Sequence, residues 1–264
     1  MTITINTGAA SPRVHWAREL FGSSFVLFFI VFTWWALSTA GWISRVFLPS
    51  PQATWASLVE GLTDGELLAF TEATVSRMLL GWALASMLGV ALGALIGLSS
   101  TVRAYMQPTL EFVRPLPASA LLPLAISIFG LSPAMVLSVV AFGAMWPVLL
   151  ATVHGFASVP AQLQEVARCL QLGRLAYALK IGLPNALPDI FAGMRLSLTV
   201  SLIVSVVGEM IASQPGLGQA ILLAARSFRA SELFAGIVLL GLIGFASSAL
   251  LALFEKRFLT WQKP

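Results

Sequence analysis

SVPAQLQEVARCLQLGRLAYALKIGLPNALPDI, residues Ser158 to Ile190, follows a long apolar run and precedes another, yet it carries polar residues throughout. Leu163, Val166, Leu170 and Leu172 lie near helical spacing, with Gln164, Glu165, Arg168 and Gln171 between them. That pattern predicts a short amphipathic helix. Pro160 suits its first turn, and Gly173 is expected to end or bend it. A second helical piece should follow and stop before Pro184, because a proline disfavours helical backbone in the residue preceding it. A helix lying on lipid normally carries lysine and arginine along its polar face. Here glutamine and glutamate dominate, which favours docking into a partner's groove.

The rest of the chain is built for lipid. Hydrophobic residues make up 58% of its 264 positions and charged residues only 10%, against roughly 25% charged in a soluble domain. Crossing a hydrocarbon core takes roughly 20 apolar residues. Charge-free windows run from Leu20 to Ser44, Met78 to Val102 and Pro115 to Gln164. The third is long enough for two crossings, with a turn at Phe129-Gly130-Leu131-Ser132-Pro133. Leu196 to Arg226, interrupted only by Glu209, and Leu233 to Phe254 follow. The expectation is one all-α bundle of about six transmembrane helices over residues 20–264, after a cytoplasmic segment 1–19. Arg13 and Arg18 precede the first window as they would in a signal peptide, but the run is too long for one, so a retained helix is expected. Residues 219–228 are a candidate short helix at the outer end.

Orientation follows from the cations. With the N-terminus inside, Arg13, Arg18, Arg103, Arg114, Arg168, Arg174, Lys180, Arg195, Lys256, Arg257 and Lys263 fall on the cytoplasmic side. Arg45, Arg77, Arg226 and Arg229 fall at the outer side. This positive-inside bias puts both termini in the cytoplasm. The net charge of +4 is thereby explained without nucleic acid. Trp16, Trp34, Trp35, Trp42 and Trp146 read as interface anchors or packing residues. Gly89, Gly93 and Gly97 form a flat stripe, one turn apart, against which another helix can close.

Several chemistries lack their residues. His15 and His154 stand far apart without ligand partners, so no metal is expected, and a lone Cys169 cannot form an internal disulfide. No nucleophile–base pair marks an enzyme, no phosphate loop marks a resident ATPase, and no run of buried carboxylates marks an ion-coupled transporter. A bundle without an energy site, but with a docking helix, points to a separate ATPase.

The docking segment resembles the signature of binding-protein-dependent ABC permeases: Glu-Ala-Ala, three residues, Gly, nine residues, Ile, one residue, Leu-Pro. Here the positions are Glu165, Val166, Ala167, Gln171, Ile181, Leu183 and Pro184, with valine in place of the first alanine and glutamine in place of glycine. If that glycine supplies a positive φ, Gln171 is strained there, and Gly173 is expected to carry the bend instead. Leu48-Pro49-Ser50-Pro51, Arg114-Pro115-Leu116-Pro117 with Ala120 and Pro123, Ala186-Leu187-Pro188 with Ile190, Gly193 and Arg195, and Gly216-Leu217-Gly218 are similar to the nitrate, sulfonate, taurine and bicarbonate subfamily. The same pattern occurs in permeases for pyrimidine precursors of thiamine.

The resemblance implies a type I importer permease in a bacterial inner membrane, with residues 158–184 as the cytoplasmic coupling helix. Glu165, Val166, Ala167, Arg168, Leu170, Gln171, Gly173, Ile181, Leu183 and Pro184 are its coupling residues. It further implies a second permease copy in a homodimer, two ABC ATPase subunits that hold ATP and magnesium, and a periplasmic or lipid-anchored binding protein. No cofactor is expected in this chain. Glu209, Arg195, Arg114 and Arg77 are candidates for the pathway or its gate. The readings for Glu209 are a structural or gating role, including a hold on the 216–218 loop, and substrate contact; for Arg114 and Arg195, anchoring at the inner face or a place in the pore.

Overall fold

A computed structural model describes residues 12–260 of the chain. Arg13, His15, Trp16 and Arg18 fall in a stretch whose side chains are outside that description, as are Trp261 and Lys263. Every regular element among the described residues is a helix. In chain order they form α1 (Pro12–Thr39), α2 (Pro51–Thr63), α3 (Glu66–Gly97) and α4 (Ser100–Val113). After a 3-10 turn, Ala118–Leu121, come α5 (Leu122–Phe129), α6 (Pro133–Ala157), α7 (Ala161–Cys169) and α8 (Arg174–Tyr177). A π turn, Ala178–Gly182, leads into α9 (Leu183–Ala212), followed by α10 (Leu217–Arg226) and α11 (Ala230–Phe258).

Among the described residues, α3, α6, α11 and the 39-residue run from α8 through α9 are long and apolar enough to cross a bilayer. The pair α4 and α5, bent by 80°, gives a fifth if it counts as one span. Adding the 28-residue α1, with its apolar stretch Ser24–Thr39, reaches the expected six.

Charge-free windows misplaced several boundaries. The second window starts at Met78, but α3 begins at Glu66 and runs through Arg77. The arginine is tolerated there because it is paired inside the bundle. The stretch 115–129 is not a straight crossing: Pro115, Pro117 and Pro123 interrupt it, and it joins the more polar α4 at the bend. The turn at 129–133 is present, with Gly130 at φ 66 and the Ser132 hydroxyl accepting from the Met135 N–H at 3.3 Å. The 196–226 span divides: α9 ends at Ala212 and α10 begins at Leu217, which supplies the short helix expected at 219–228.

The predicted stop before Pro184 is also overturned. The helix continues through Pro184 and Pro188 to Ala212. A proline offers no N–H and its ring crowds the carbonyl four residues back. The wider π turn sits where that carbonyl, Lys180, would be crowded, so the chain passes Pro184 without breaking.

The core is a close-packed trio of α3, α6 and α9. Gly81, Ala85, Gly89, Gly93 and Gly97 repeat every fourth residue on α3, and all are buried. They face Val140, Val148, Thr152 and Phe156 of α6, also at multiples of four. A Cβ on Gly93 would lie 2.6 Å from Thr152 Cβ and 2.8 Å from the Leu149 carbonyl oxygen. Gly193 of α9 is equally tight against α6, 2.8 Å from the Pro147 carbonyl. In lipid, burial of apolar surface does not draw helices together, so this backbone proximity supplies the association. The flanks are tied by polar contacts: Trp34 Nε1 donates to the Pro49 carbonyl at 2.9 Å, and Trp82 Nε1 to the Met194 carbonyl at 2.9 Å.

Gly93→Leu is expected to destabilise the bundle by about 1–3 kcal/mol through overpacking, measured by unfolding in mixed detergent micelles. Gly241→Leu on α11, where a Cβ would meet nothing within 4 Å, should leave the midpoint unchanged. Equal midpoints for the two variants would refute the close-packed trio.

Candidate functional site: a coupling end and a polar lock

The two ends of α9 carry different chemistry, separated by its 30 residues, about 45 Å of helix.

At the start lies the segment quoted above. α7 spans Ala161–Cys169, with Pro160 as its N-cap. Only Ala167 is buried; Leu163, Val166 and Leu170 are exposed, as are Glu165 and Arg168. The apolar side of this amphipathic helix is thus turned outward in the single chain. Gln164 Nε2 donates to the Val159 carbonyl at 2.9 Å, bracing α7 on the linker that precedes it, and Asn185 Nδ2 donates to the Gly155 carbonyl at 2.9 Å, fixing the head of α9 to the end of α6. Ile181 lies in the π turn, and Leu183 and Pro184 open α9, all partly buried.

The bend after α7 is at Gln171, not Gly173. Gln171 has φ 51, in the left-handed region, whereas Gly173 is extended at φ −64, ψ 159. Gln171 N–H donates to the Arg168 carbonyl and Leu172 N–H to the Ala167 carbonyl, both at 3.0 Å. These two bonds make the helix terminus whose left-handed residue is usually glycine. Glutamine holds the same conformation at a cost of roughly 1–2 kcal/mol.

At the far end, Glu209 is fully buried. Arg77 Nη1 donates to Glu209 Oε1 at 2.6 Å, and Arg77 Nη2 to the Pro215 carbonyl at 2.6 Å. Thr74 Oγ1 donates to Glu209 Oε2 at 3.0 Å and accepts from the Leu217 N–H at 2.9 Å. The Gly218 N–H donates to the same carboxylate oxygen at 2.9 Å. One carboxylate therefore ties α3, α9 and the head of α10 together. Gly216 and Gly218 are required by proximity: a Cβ on Gly216 would overlap the Glu209 carboxylate, and one on Gly218 the Val206 carbonyl.

Arg77 and Glu209, singled out separately, meet each other, so Arg77 is not a free outer cation. Arg195 is elsewhere, pairing with Glu255 and joining α9 to α11. Arg114 caps α4 and is exposed. Thr74 and Glu255 escaped the sequence reading. Thr74 lies one helical turn before Arg77, but a lone threonine in an apolar helix carries no signal, and each has a partner distant in the chain.

Residues 85–260 match the family described as "Binding-protein-dependent transport system inner membrane component". The chain is 33% identical over 233 residues to SsuC of Bacillus subtilis (strain 168), named as a transport permease for aliphatic sulfonates, covering 88% of this chain and 84% of that protein. It is 30% identical to the taurine transport system permease protein TauC of Escherichia coli (strain K12), over 99% and 98% of the two chains. The nitrate import permease protein NrtB of Leptolyngbya laminosa is 30% identical, over 88% and 85%. Among solved structures, the crystal structure of an amino acid ABC transporter with histidines shares the fold at TM-score 0.59 and 21% identity, covering 76% of this chain and 97% of that one.

Glu209→Leu is expected to cost about 3–5 kcal/mol, because it strands a buried guanidinium, whereas Arg77→Met/Glu209→Leu should recover most of that loss. Unfolding in mixed micelles provides the double-mutant cycle. Additive losses would show that the two side chains do not act as a pair.

Proposed function

The chain belongs to the family of binding-protein-dependent transport system inner membrane components, and from that premise we propose how this permease subunit is driven and what it carries. α7 is the coupling helix, docked in a cleft of an ABC ATPase subunit that binds and hydrolyses ATP with magnesium. The observation that carries this reading is the outward-turned apolar face of Leu163, Val166 and Leu170 on a helix pinned to one end of the bundle. Glu165, Arg168, Gln171 and Gly173 are exposed on the same segment, Ala167 is buried against the bundle, and Ile181, Leu183 and Pro184 are partly buried where the segment joins α9. An apolar helical face of this kind is the usual element of helix-in-groove recognition.

The cargo is a small anion delivered by a periplasmic or lipid-anchored binding protein. Its relatives support this, being named for sulfonates, taurine and nitrate. Two copies of the chain and two ATPase subunits form the working unit. Closure of the ATPase pair would carry both coupling helices together and rock each bundle as a rigid body between inward-open and outward-open states. Glu209 and Arg77 serve this as a lock on the outer end rather than as a cargo site, since their polar atoms are spent on one another and on the 215–218 loop. The positive-inside distribution of Lys and Arg supports an orientation with both termini and α7 in the cytoplasm.

Co-purification tests the coupling assignment. Glu165→Arg and Leu170→Pro should each abolish recovery of the ATPase subunit with the tagged chain, while membrane insertion stays intact. Wild-type recovery with both variants would sink it. Orientation is tested by labelling Cys169, an exposed cysteine, with a membrane-impermeant maleimide. It should react in inverted vesicles and stay unlabelled in intact cells; labelling of intact cells would reverse the topology.

A further inference from the structure

The last turn of α3 and the first turn of α4 face α7 and α8 across a cavity of about 630 Å³, within the roughly 300–1,000 Å³ range of ligand clefts. Its walls differ in kind. One is apolar, formed by Leu95, Leu98 and Val102, all exposed. The other carries Arg168, Gln171 and Arg174. No carboxylate lines the cavity, and neither arginine is paired with one among the described residues. Two guanidiniums facing a space without a counter-charge form a site for an anion.

The apolar wall distinguishes which anion. α3 is 32 residues long, about 48 Å at 1.5 Å per residue, against a hydrocarbon core of about 30 Å. Its ends therefore reach the headgroup level. A phosphate between the arginines would leave an acyl chain to run along Leu98 and Leu95 toward the membrane interior. An acidic segment of a soluble partner could satisfy the arginines, but it would leave that wall bare. We propose that this cavity binds an anionic phospholipid, its phosphate held by Arg168 and Arg174 and its first acyl segment against the end of α3. The left-handed residue Gln171 itself lines the cavity, so a bound lipid braces the α7 terminus against α3. Only its assignment to the cytoplasmic leaflet rests on the orientation proposed above; lipid binding itself requires no ATPase.

The experiment is native mass spectrometry of the full chain in neutral detergent, titrated with phosphatidylglycerol or phosphatidylcholine. Wild type is expected to take up phosphatidylglycerol in preference. Arg174→Gln should weaken that uptake about five-fold, and Arg168→Gln/Arg174→Gln about thirty-fold, on the scale of one juxtamembrane cation per anionic lipid surface. Arg168→Lys/Arg174→Lys should restore it, and Arg45→Gln, on the loop after α1, should leave it unchanged. Because Arg174→Gln replaces one exposed side chain, its modest shift remains readable if the double variant fails to fold. Equal uptake of the two lipids, or unaltered uptake by the glutamine variants, would overturn the proposal. So would inorganic phosphate bound as tightly as the lipid. If the glutamine variants lost ATPase recovery yet kept wild-type lipid uptake, the cavity would belong to the partner protein and the lipid assignment would fall, while the coupling helix would stand.

Discussion

The bundle depends on backbone approaching backbone. Between α3 and α6 the glycines at 81, 89, 93 and 97 leave no room for a Cβ. In a soluble protein such a seam could be replaced by larger apolar side chains, because water would still drive the helices together. Lipid offers no such drive, so small residues that permit close van der Waals contact hold the trio. The same seam keeps α3 and α6 from sliding, since Val140, Val148, Thr152 and Phe156 each sit opposite one glycine. Register in the membrane is thus specified by the absence of side chains.

That rigidity gives the polar ends their meaning. Glu209 would be a liability as an isolated buried carboxylate. It is accommodated because α3 presents Thr74 and Arg77 on one face, three residues apart, and because glycines let the 216–218 backbone come within reach. The lock therefore depends on the α3–α9 alignment that the trio fixes. The opposite end follows the other logic. There the apolar side chains of α7 are left facing outward and the helix is held by amide and backbone hydrogen bonds, an arrangement suited to a surface that has a partner elsewhere.

Much of this was legible from residues alone. Hydropathy located the bundle, the glycine stripe located its tightest seam, and the helical spacing from Leu163 to Leu170 located the exposed amphipathic helix α7. What failed did so for identifiable reasons. Counting charges cut α3 short at Arg77, because a one-dimensional window cannot see that Glu209, far along the chain, neutralises it. Reading proline as a stop ended the segment before Pro184, because the π turn that rescues it has no composition of its own. Reading glycine as the bend chose Gly173 over Gln171, because residue preference outweighed the position the signature assigns. The signature's spacing was the better guide: the position it gives to glycine has a left-handed backbone in this chain, with glutamine there.

The persistence of the helix through Pro184 has a mechanical consequence. Had the chain broken there, α7 and the lock would sit on separate bodies joined by a hinge. Instead a 39-residue run from Arg174 to Ala212 begins beside α7 and carries Glu209 near its tail. Under the coupling proposed above, a displacement of α7 and α8 would reach a continuous helix that the trio already holds in register, which favours rotation of the whole bundle. The π turn in that run belongs to the same packing: its buried Ala178 and Gly182 lie against Phe156, the α6 residue opposite Gly97. The head of α9 is therefore held in the seam as firmly as its tail is held by Glu209, and the run between them has no break at which the two ends could move apart.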